Sequence, residues 1–181
     1  MTDAFHRPAW VEGMFLGPQH FQQWDRRWQG EGAARLRLAR PYAWGLQRLA
    51  VDSEALGSGR LQLQALTAIL PDGALVDAPG VDVLPASRDL KEAFAADEQT
   101  QIVHLACPEA RPGVSRVRLP DHTTAAESPF FGDEVTVEDE LQPGQQREIM
   151  TARRNLKLLL ESESRDGHLT LPVARIVRDD A

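Results

Sequence analysis

The apolar residues follow a helical spacing near the start of the chain and a strand spacing over most of the rest. Phe21, Trp24 and Trp28 recur at intervals of three and four, with polar and charged residues between them. Pro18 precedes them and suits the first turn of a helix, where its missing N–H would have no partner. The pattern therefore predicts a helix near residues 18–40.

Two glycines weaken the middle of this predicted helix. Gly30 and Gly32 each cost about 1 kcal/mol relative to alanine in a helix interior. We therefore expect a break or bend at this point. Pro41 ends whatever helix remains.

The later part of the chain reads as strands separated by turns. Turn pairs such as Pro112–Gly113 and Pro143–Gly144 punctuate the apolar runs. The predicted strands are Trp44–Val51, Arg60–Leu70, Gln101–Ala106, Ser115–Leu119, Glu134–Leu141, Arg147–Leu160 and His168–Val177. About seven strands at this spacing, with few helices, indicate a mainly β fold, an antiparallel sandwich or barrel. Within Arg60–Leu70 both alternating faces are apolar over part of the length, which predicts burial on two sides.

Residues 1–17 read as an irregular arm. Pro8, Gly13 and Gly17 interrupt any regular pattern. The apolar residues of the arm are Trp10, Val11, Met14, Phe15 and Leu16. A segment of this composition normally lies against its own domain or against a neighbour. We therefore divide the chain into an arm, residues 1–17, and a β domain, residues 18–181, that includes the helix.

Composition excludes several classes of function. The chain has 181 residues, 42% of them hydrophobic, and a net charge of -7. The acidity argues against a nucleic-acid binder and against an anionic membrane surface as partner. Cys107 is the only cysteine, so no internal disulfide can form. No secretory signal or membrane-spanning run is present in the sequence, so we expect a cytoplasmic protein.

The residues offer no recognisable catalytic or metal-binding pattern. The five histidines have no i, i+4 pair, and His104 with Cys107 forms an isolated H-x-x-C. Cys107 has apolar neighbours, which favours a buried, inert thiol over a nucleophile. Ser58 stands in Gly-Ser-Gly but reads as a turn. We therefore predict no enzyme activity, no cofactor and no metal.

Opposite charges cluster in two separate places. Arg26, Arg27, Arg35, Arg37 and Arg40 make the predicted helix basic. The acidic residues Asp133, Glu134, Glu138, Asp139 and Glu140 alternate in part with valines. The basic stretch could meet an acidic partner, pair with the acidic cluster, or remain a solvated face. The acidic cluster is best explained as a solvated strand face.

The arm and helix start resemble the N-terminal signature of the TssK family, W-x-E-G-M-F-L-x-P-Q-H-F-Q. Every fixed position matches the run from Trp10 to Gln22. Rare residue types at set offsets over thirteen positions make this resemblance specific. Weaker similarities are Tyr42–Leu46, Leu70–Gly73 and Leu171–Ile176.

The resemblance carries expectations about fold and role. TssK subunits belong to the baseplate of the type VI secretion machine and combine a shoulder, a helical neck and a head. The shoulder is an antiparallel β-sandwich similar to that of phage receptor-binding proteins. This sequence stops where a shoulder would end, so we expect the shoulder alone, without neck or head. The family attaches through its shoulder to the wedge proteins TssF and TssG and assembles as trimers. It reaches the membrane complex of TssM and TssL through the head, at the cytoplasmic face of the inner membrane.

We assign partner binding to the arm and the helix start. Large aromatic side chains dominate the energetics of protein interfaces. The predicted partner-binding residues are Trp10, Glu12, Met14, Phe15, Leu16, Gln19, His20 and Phe21. Glu12 is placed to meet the helix dipole and His20 to hydrogen-bond the arm backbone. The alternative is that these side chains form the domain's own core, which we favour for Phe21 and Trp24.

A different class of function also fits a sandwich. Many β-sandwiches bind small ligands or carbohydrates, and the fold alone does not decide between these roles. Four tryptophans are compatible with sugar binding, but Trp10, Trp24 and Trp28 belong to the arm and the helix rather than to loops at a sandwich end. A ligand- or carbohydrate-binding module is therefore the alternative to a baseplate domain.

Overall fold

The computed structural model describes residues 6–91, 93–94, 99–120 and 127–178. Two helices and eleven strands are present in these ranges. They are α1 (Pro18–Ala39), β1 (Gly45–Val51), α2 (Ser53–Gly57), β2 (Arg60–Leu61), β3 (Leu63–Ile69), β4 (Leu75–Ala78), β5 (Arg88–Asp89), β6 (Thr100–Pro108), β7 (Val117–Arg118), β8 (Phe130–Glu138), β9 (Gln146–Arg154), β10 (Lys157–Leu160) and β11 (His168–Val177). Neither helix is long and apolar enough to cross a bilayer.

Helix α1 begins at Pro18, as predicted, and runs without interruption to Ala39. The predicted break at Gly30 and Gly32 is therefore wrong. Gly30 is the buried residue of the helix, so its small size serves packing. Helix propensity is a weak preference that tertiary contacts override.

The middle of α1 rests on the turn between β3 and β4. Gly73 in this turn has φ 89°, and a Cβ placed there would lie 2.7 Å from the Cβ of Ala33. Arg37 donates from Nη1 to the carbonyl oxygen of Asp72 at 3.0 Å. Only a residue without a side chain allows the helix to approach the turn this closely.

Two antiparallel three-stranded sheets form the body of the protein. One has the strand order β1-β3-β4, and the other has the order β10-β6-β11. Both sheets contribute to one buried cluster that includes Leu66, Val76, Leu105, Leu158 and Leu171. Two sheets sharing one core make a β-sandwich, which confirms the predicted fold class. The predicted two-sided burial holds for the second half of β3, where Ala65, Leu66 and Ala68 are all buried.

A third sheet, β7-β8-β9, consists mainly of a long hairpin. β8 and β9 pair antiparallel from Phe130↔Arg154 to Glu138↔Gln146, whereas β7 pairs parallel with the start of β8. The acidic residues near the end of β8 are exposed, as predicted for a solvated strand face. A further short pair joins β2 and β5.

Several strand boundaries differ from the sequence prediction. The predicted strand Arg147–Leu160 is two strands in different sheets, β9 and β10, separated at Asn155. The Asn155 side chain donates to the carbonyl of Ser128 at 3.1 Å, and its backbone N–H donates to Pro129 at 2.9 Å. At these bonds the chain passes from the β7-β8-β9 sheet to the β10-β6-β11 sheet. Strand β4 was missed because it is only four residues long and lies between the turn signals Pro71–Gly73 and Pro79–Gly80.

Candidate partner-binding surface

The arm reverses direction at Glu12 and Gly13. Gly13 has φ 78°, a left-handed conformation that glycine adopts without strain. The backbone N–H of Met14 donates to the carbonyl of Val11 at 3.2 Å across the turn. This local geometry directs the arm back toward the start of α1.

His20 holds the arm onto the helix. The backbone N–H of Gly17 donates to Nδ1 of His20 at 3.1 Å, so the imidazole accepts a bond from the residue that precedes the helix. This is the hydrogen bond to the arm backbone that the sequence predicts. Gln23 adds a second tie, donating from Nε2 to the carbonyl of His6 at 3.2 Å. The arm therefore lies along the first two turns of α1.

Trp10 lies at the centre of an aromatic cluster formed by the arm and the helix. Its ring centroid is 6.2 Å from His20, 6.4 Å from Phe21 and 5.6 Å from Trp24, the last pair in an edge-on arrangement. The rings are only partly covered: Trp10 is 47% exposed, Phe21 51% and Trp24 43%. The prediction that Phe21 and Trp24 belong to the domain's own core is therefore wrong. They pack against the arm and remain open to solvent.

The exposed apolar surface extends from this cluster along the arm. Phe15 is 92% exposed, and Val11 and Leu16 are more than half exposed. Met14 and His20 are half-buried, whereas Glu12 and Gln19 are exposed polar residues beside them. All eight predicted partner-binding residues thus lie on the arm or the first turn of α1. We refer to these residues together with Trp24 as the arm surface.

Sequence reasoning missed part of this surface. Trp24 was assigned to the core, and Trp28, one turn further on, is also exposed. The spacing of Phe21, Trp24 and Trp28 shows that they share one helical face. That spacing does not show that the sandwich core lies elsewhere. Only the fold places this face in solvent.

The charge clusters do not pair with each other among the described contacts. In α1, Glu31 forms ion pairs with Arg27 and with Arg35, each four residues away. Asp133 instead pairs with Arg153, with an Nε–Oδ2 distance of 3.0 Å. The two ion pairs of Glu31 are thus local, as expected for a solvated helix face.

The shifted pKa values of Cys107 and Glu161 arise from burial and from contacts within the domain. Cys107 is buried, and burial raises the pKa of its thiol to about 11, which matches the inert thiol predicted. His104 Nε2 lies 2.6 Å from Glu161 Oε2, and this hydrogen bond, together with Arg165, lowers the pKa of Glu161. Ser58 Oγ donates to the carbonyl of Ala55 at 2.7 Å in the turn after α2. Within the described ranges, no group of three acidic, histidine or cysteine side chains is placed to hold a metal.

The geometry of the arm surface suits contact with another protein. Monomeric proteins rarely expose large contiguous apolar patches, and such patches mark sites of interaction. Rigid aromatic side chains lose little conformational entropy when they become buried. The arm surface therefore offers binding energy rather than a reacting group.

A family model matches residues 20–181, nearly the whole chain. It describes the family as "Bacterial Type VI secretion, VC_A0110, EvfL, ImpJ, VasE". The match begins within α1 and includes every strand.

Similar proteins fall in the same family. The type VI secretion system baseplate component TssK1 of Pseudomonas aeruginosa is 36% identical over 108 residues, which are 60% of this chain and 23% of that protein. A chain in the cryo-electron microscopy structure of a type VI secretion TssK-TssF-TssG baseplate subcomplex is 28% identical, with a TM-score of 0.89. The crystal structure of TssK is also 28% identical, with a TM-score of 0.82.

These relatives are longer than this chain. The structural match covers 98% of this chain and 58% of the chain in the subcomplex. It covers 96% of this chain and 39% of the chain in the crystal structure. The similarity extends over almost the entire fold described above, including α1 and both sheets. The chain therefore belongs to this type VI secretion family, the TssK family of baseplate components.

Proposed function

We propose that this domain attaches a TssK-family subunit to the TssF/TssG wedge of the type VI secretion baseplate through the arm surface. The observation that carries the proposal is the exposed cluster around Trp10, continued by Phe15. The solved TssK-TssF-TssG subcomplex supports the choice of partner, since its TssK chain has a similar fold.

The arm surface holds enough apolar area to anchor a partner. Full burial of a large apolar side chain contributes about 1.5–3 kcal/mol. Phe15 is almost fully exposed, so a partner pocket would remove nearly all of its surface from water. Trp10 and Phe21 are already held against each other and lose less conformational freedom on binding. A few such anchors dominate the energy of a typical interface.

The role proposed is structural rather than catalytic. The altered pKa values discussed above belong to groups that stabilise the sandwich. In this role the domain works at the cytoplasmic face of the inner membrane. We assign trimer assembly and contact with TssM and TssL to other parts of TssK-family subunits.

Co-purification tests this function. The tagged chain is co-expressed with the TssF and TssG proteins of its own source, and the captured proteins are identified by mass spectrometry. We expect both wedge proteins to be retained. A folded chain, verified by circular dichroism, that captures neither protein would refute the proposal. Calorimetric binding of sugars by that same chain would favour a carbohydrate-binding module instead.

A further inference from the structure

A cleft of about 550 Å³ lies between α1 and the sandwich, separate from the arm surface. Its walls come from the middle of α1, the β3–β4 turn and the strands near Phe130. The function proposed above does not use this cleft.

Among the residues that the structure describes, four arginines line the cleft, together with a single carboxylate. The arginines are Arg26, Arg37, Arg116 and Arg154, and the carboxylate belongs to Asp72. Such an excess of positive charge is unusual in a chain with a net charge of -7. Charges inside a cleft are also screened less by solvent than charges on an open surface.

Two of these guanidinium groups are held in place by the fold. Arg37 donates to the carbonyl of Asp72 at 3.0 Å, and Arg154 donates from Nε to the carbonyl of Leu75 at 3.2 Å. Asp82 lies 3.9 Å from Nε of Arg154, beyond hydrogen-bond distance, and offsets part of its charge. A carbonyl acceptor orients a guanidinium without neutralising its charge. Both guanidinium groups are therefore oriented, and Arg37 keeps its charge available for an anion.

Apolar groups stand beside the cations. Trp28 lines the cleft and is exposed, and the Phe130 ring lies 5.3 Å from the Arg154 guanidinium carbon. Gly32 also lines the cleft, and a Cβ at this position would meet no atom within 4 Å. The glycine thus leaves open space where a side chain would project. Cations next to apolar walls suit a peptide in which a carboxylate side chain is followed by an apolar one. The carboxylate would contact the cations, and the apolar side chain would contact the walls.

We propose that this arginine-lined cleft binds an acidic segment of a partner protein, with its carboxylates on the arginines and an apolar side chain against Trp28. Charge complementarity selects an anionic partner, and the apolar walls favour a peptide over free phosphate. The segment belongs to a wedge protein, an assignment that rests on the proposed function.

A peptide titration tests the chemistry of the cleft with the full chain. The probe is a fluorescein-labelled Glu-Phe-Asp-Glu-Phe-Glu peptide, and its Gln/Asn counterpart is the neutral control. We expect saturable binding by fluorescence anisotropy, weakening as NaCl rises, and at least about tenfold weaker binding of the neutral peptide. Absence of saturation up to about 1 mM, or equal binding of both peptides, would overturn the proposal.

Two variants locate the binding. Gly32→Leu fills the open space while improving helix propensity, so the protein should keep its circular dichroism spectrum. Arg116→Gln removes one of the lining charges. Each should weaken peptide binding at least about tenfold, whereas Arg48→Gln, an exposed arginine on β1, should change nothing. Unchanged affinity in folded Gly32→Leu would show that the peptide binds elsewhere and refute the cleft.

Wedge capture by the same variants separates this inference from the proposed function. Gly32→Leu should lower both peptide binding and TssF/TssG capture, whereas Phe15→Ala should lower capture alone. Capture unchanged by Gly32→Leu overturns the assignment of the segment to the wedge. If the native chain captures no wedge protein, the proposed function fails while the peptide titration still decides whether the cleft binds acidic peptides.

Discussion

At the scale of single residues, Cys107 shows how burial fixes chemistry. Its side chain is among the buried residues of the core, and its Sγ lies 3.6 Å from the carbonyl oxygen of Pro129. Desolvation is the largest cause of the raised thiol pKa, which moves from 9.0 to about 11. A nearby cation, Arg154, opposes the shift without cancelling it. The thiol therefore stays protonated, and a protonated thiol is a poor nucleophile.

The raised pKa predicts a loss of stability in alkali. The unfolded thiol ionises near pH 9.0, whereas the folded thiol ionises only near pH 11. The stabilisation is therefore complete below pH 9.0 and is lost as pH rises through about 11, by about 3 kcal/mol. Urea unfolding at a series of pH values would measure the loss.

The matched control for this prediction is Cys107→Ala. This variant lacks the titrating group, so its stability should fall less than that of the native chain between pH 9 and 11. Equal pH profiles for the two proteins would show that the thiol makes no contribution. Rapid modification of native Cys107 by a thiol reagent at pH 8 would likewise contradict the burial described here.

At the scale of elements, the contact between α1 and the β3–β4 turn sets the position of the helix. Gly73 meets Ala33 in a space that allows no side chain. We expect Gly73→Ala to displace the helix or strain the turn, at a cost of about 2–4 kcal/mol from backbone strain and overpacking together. Thermal unfolding followed by circular dichroism would measure the cost.

Gly113→Ala is the control for the helix contact. Gly113 has φ 78°, close to that of Gly73, but a Cβ there meets nothing within 4 Å. The control should therefore show only the backbone cost of about 1–2 kcal/mol. Adding Ala33→Gly to Gly73→Ala should restore part of the stability that Gly73→Ala loses, because it removes the Cβ that the new side chain meets. Equal destabilisation by both alanine variants would mean that the close contact with α1 carries no energy.

The elements also show what the sequence could predict and what it could not. Local signals located the start of α1 at Pro18 and the alternation of β3, because these depend on neighbouring residues. The continuity of α1 past Gly32 depends on a turn forty residues further along the chain. The separation of β9 from β10 depends on bonds from Asn155 to Ser128 and Pro129. No pattern among neighbouring residues in the sequence predicts contacts between segments that are far apart along the chain.

The run that forms the candidate site was recognisable for a different reason. The run from Trp10 to Phe21 stands out by residue type alone, and it also predicts a hydrogen bond from His20 to the arm backbone, which the structure places at Gly17. The exposure of Trp24 was not predictable, because an aromatic stripe on a helix more often faces a core. The cleft arginines come from three separate segments, α1, the approach to β7 and the end of β9, and meet only in the folded chain.

At the scale of the whole molecule, the sandwich core and the arm surface consist of different residues. The core cluster comes mainly from the two central sheets and includes none of the arm aromatics. Substitutions on the arm should therefore change partner binding without unfolding the sandwich. The arm surface, the cleft and the β8–β9 hairpin are distinct places at which a partner can be tested.

Binding of the wedge by the arm surface is tested by measuring the affinity of Phe15→Ala for a purified TssF–TssG complex. We expect at least about tenfold weaker binding, since a buried phenylalanine contributes more than about 1.4 kcal/mol, and an unchanged circular dichroism spectrum. Leu141→Ala is the control, because Leu141 is 91% exposed between β8 and β9. Native affinity in Phe15→Ala, or loss of its fold, would show that the arm surface does not bind the wedge in the way proposed.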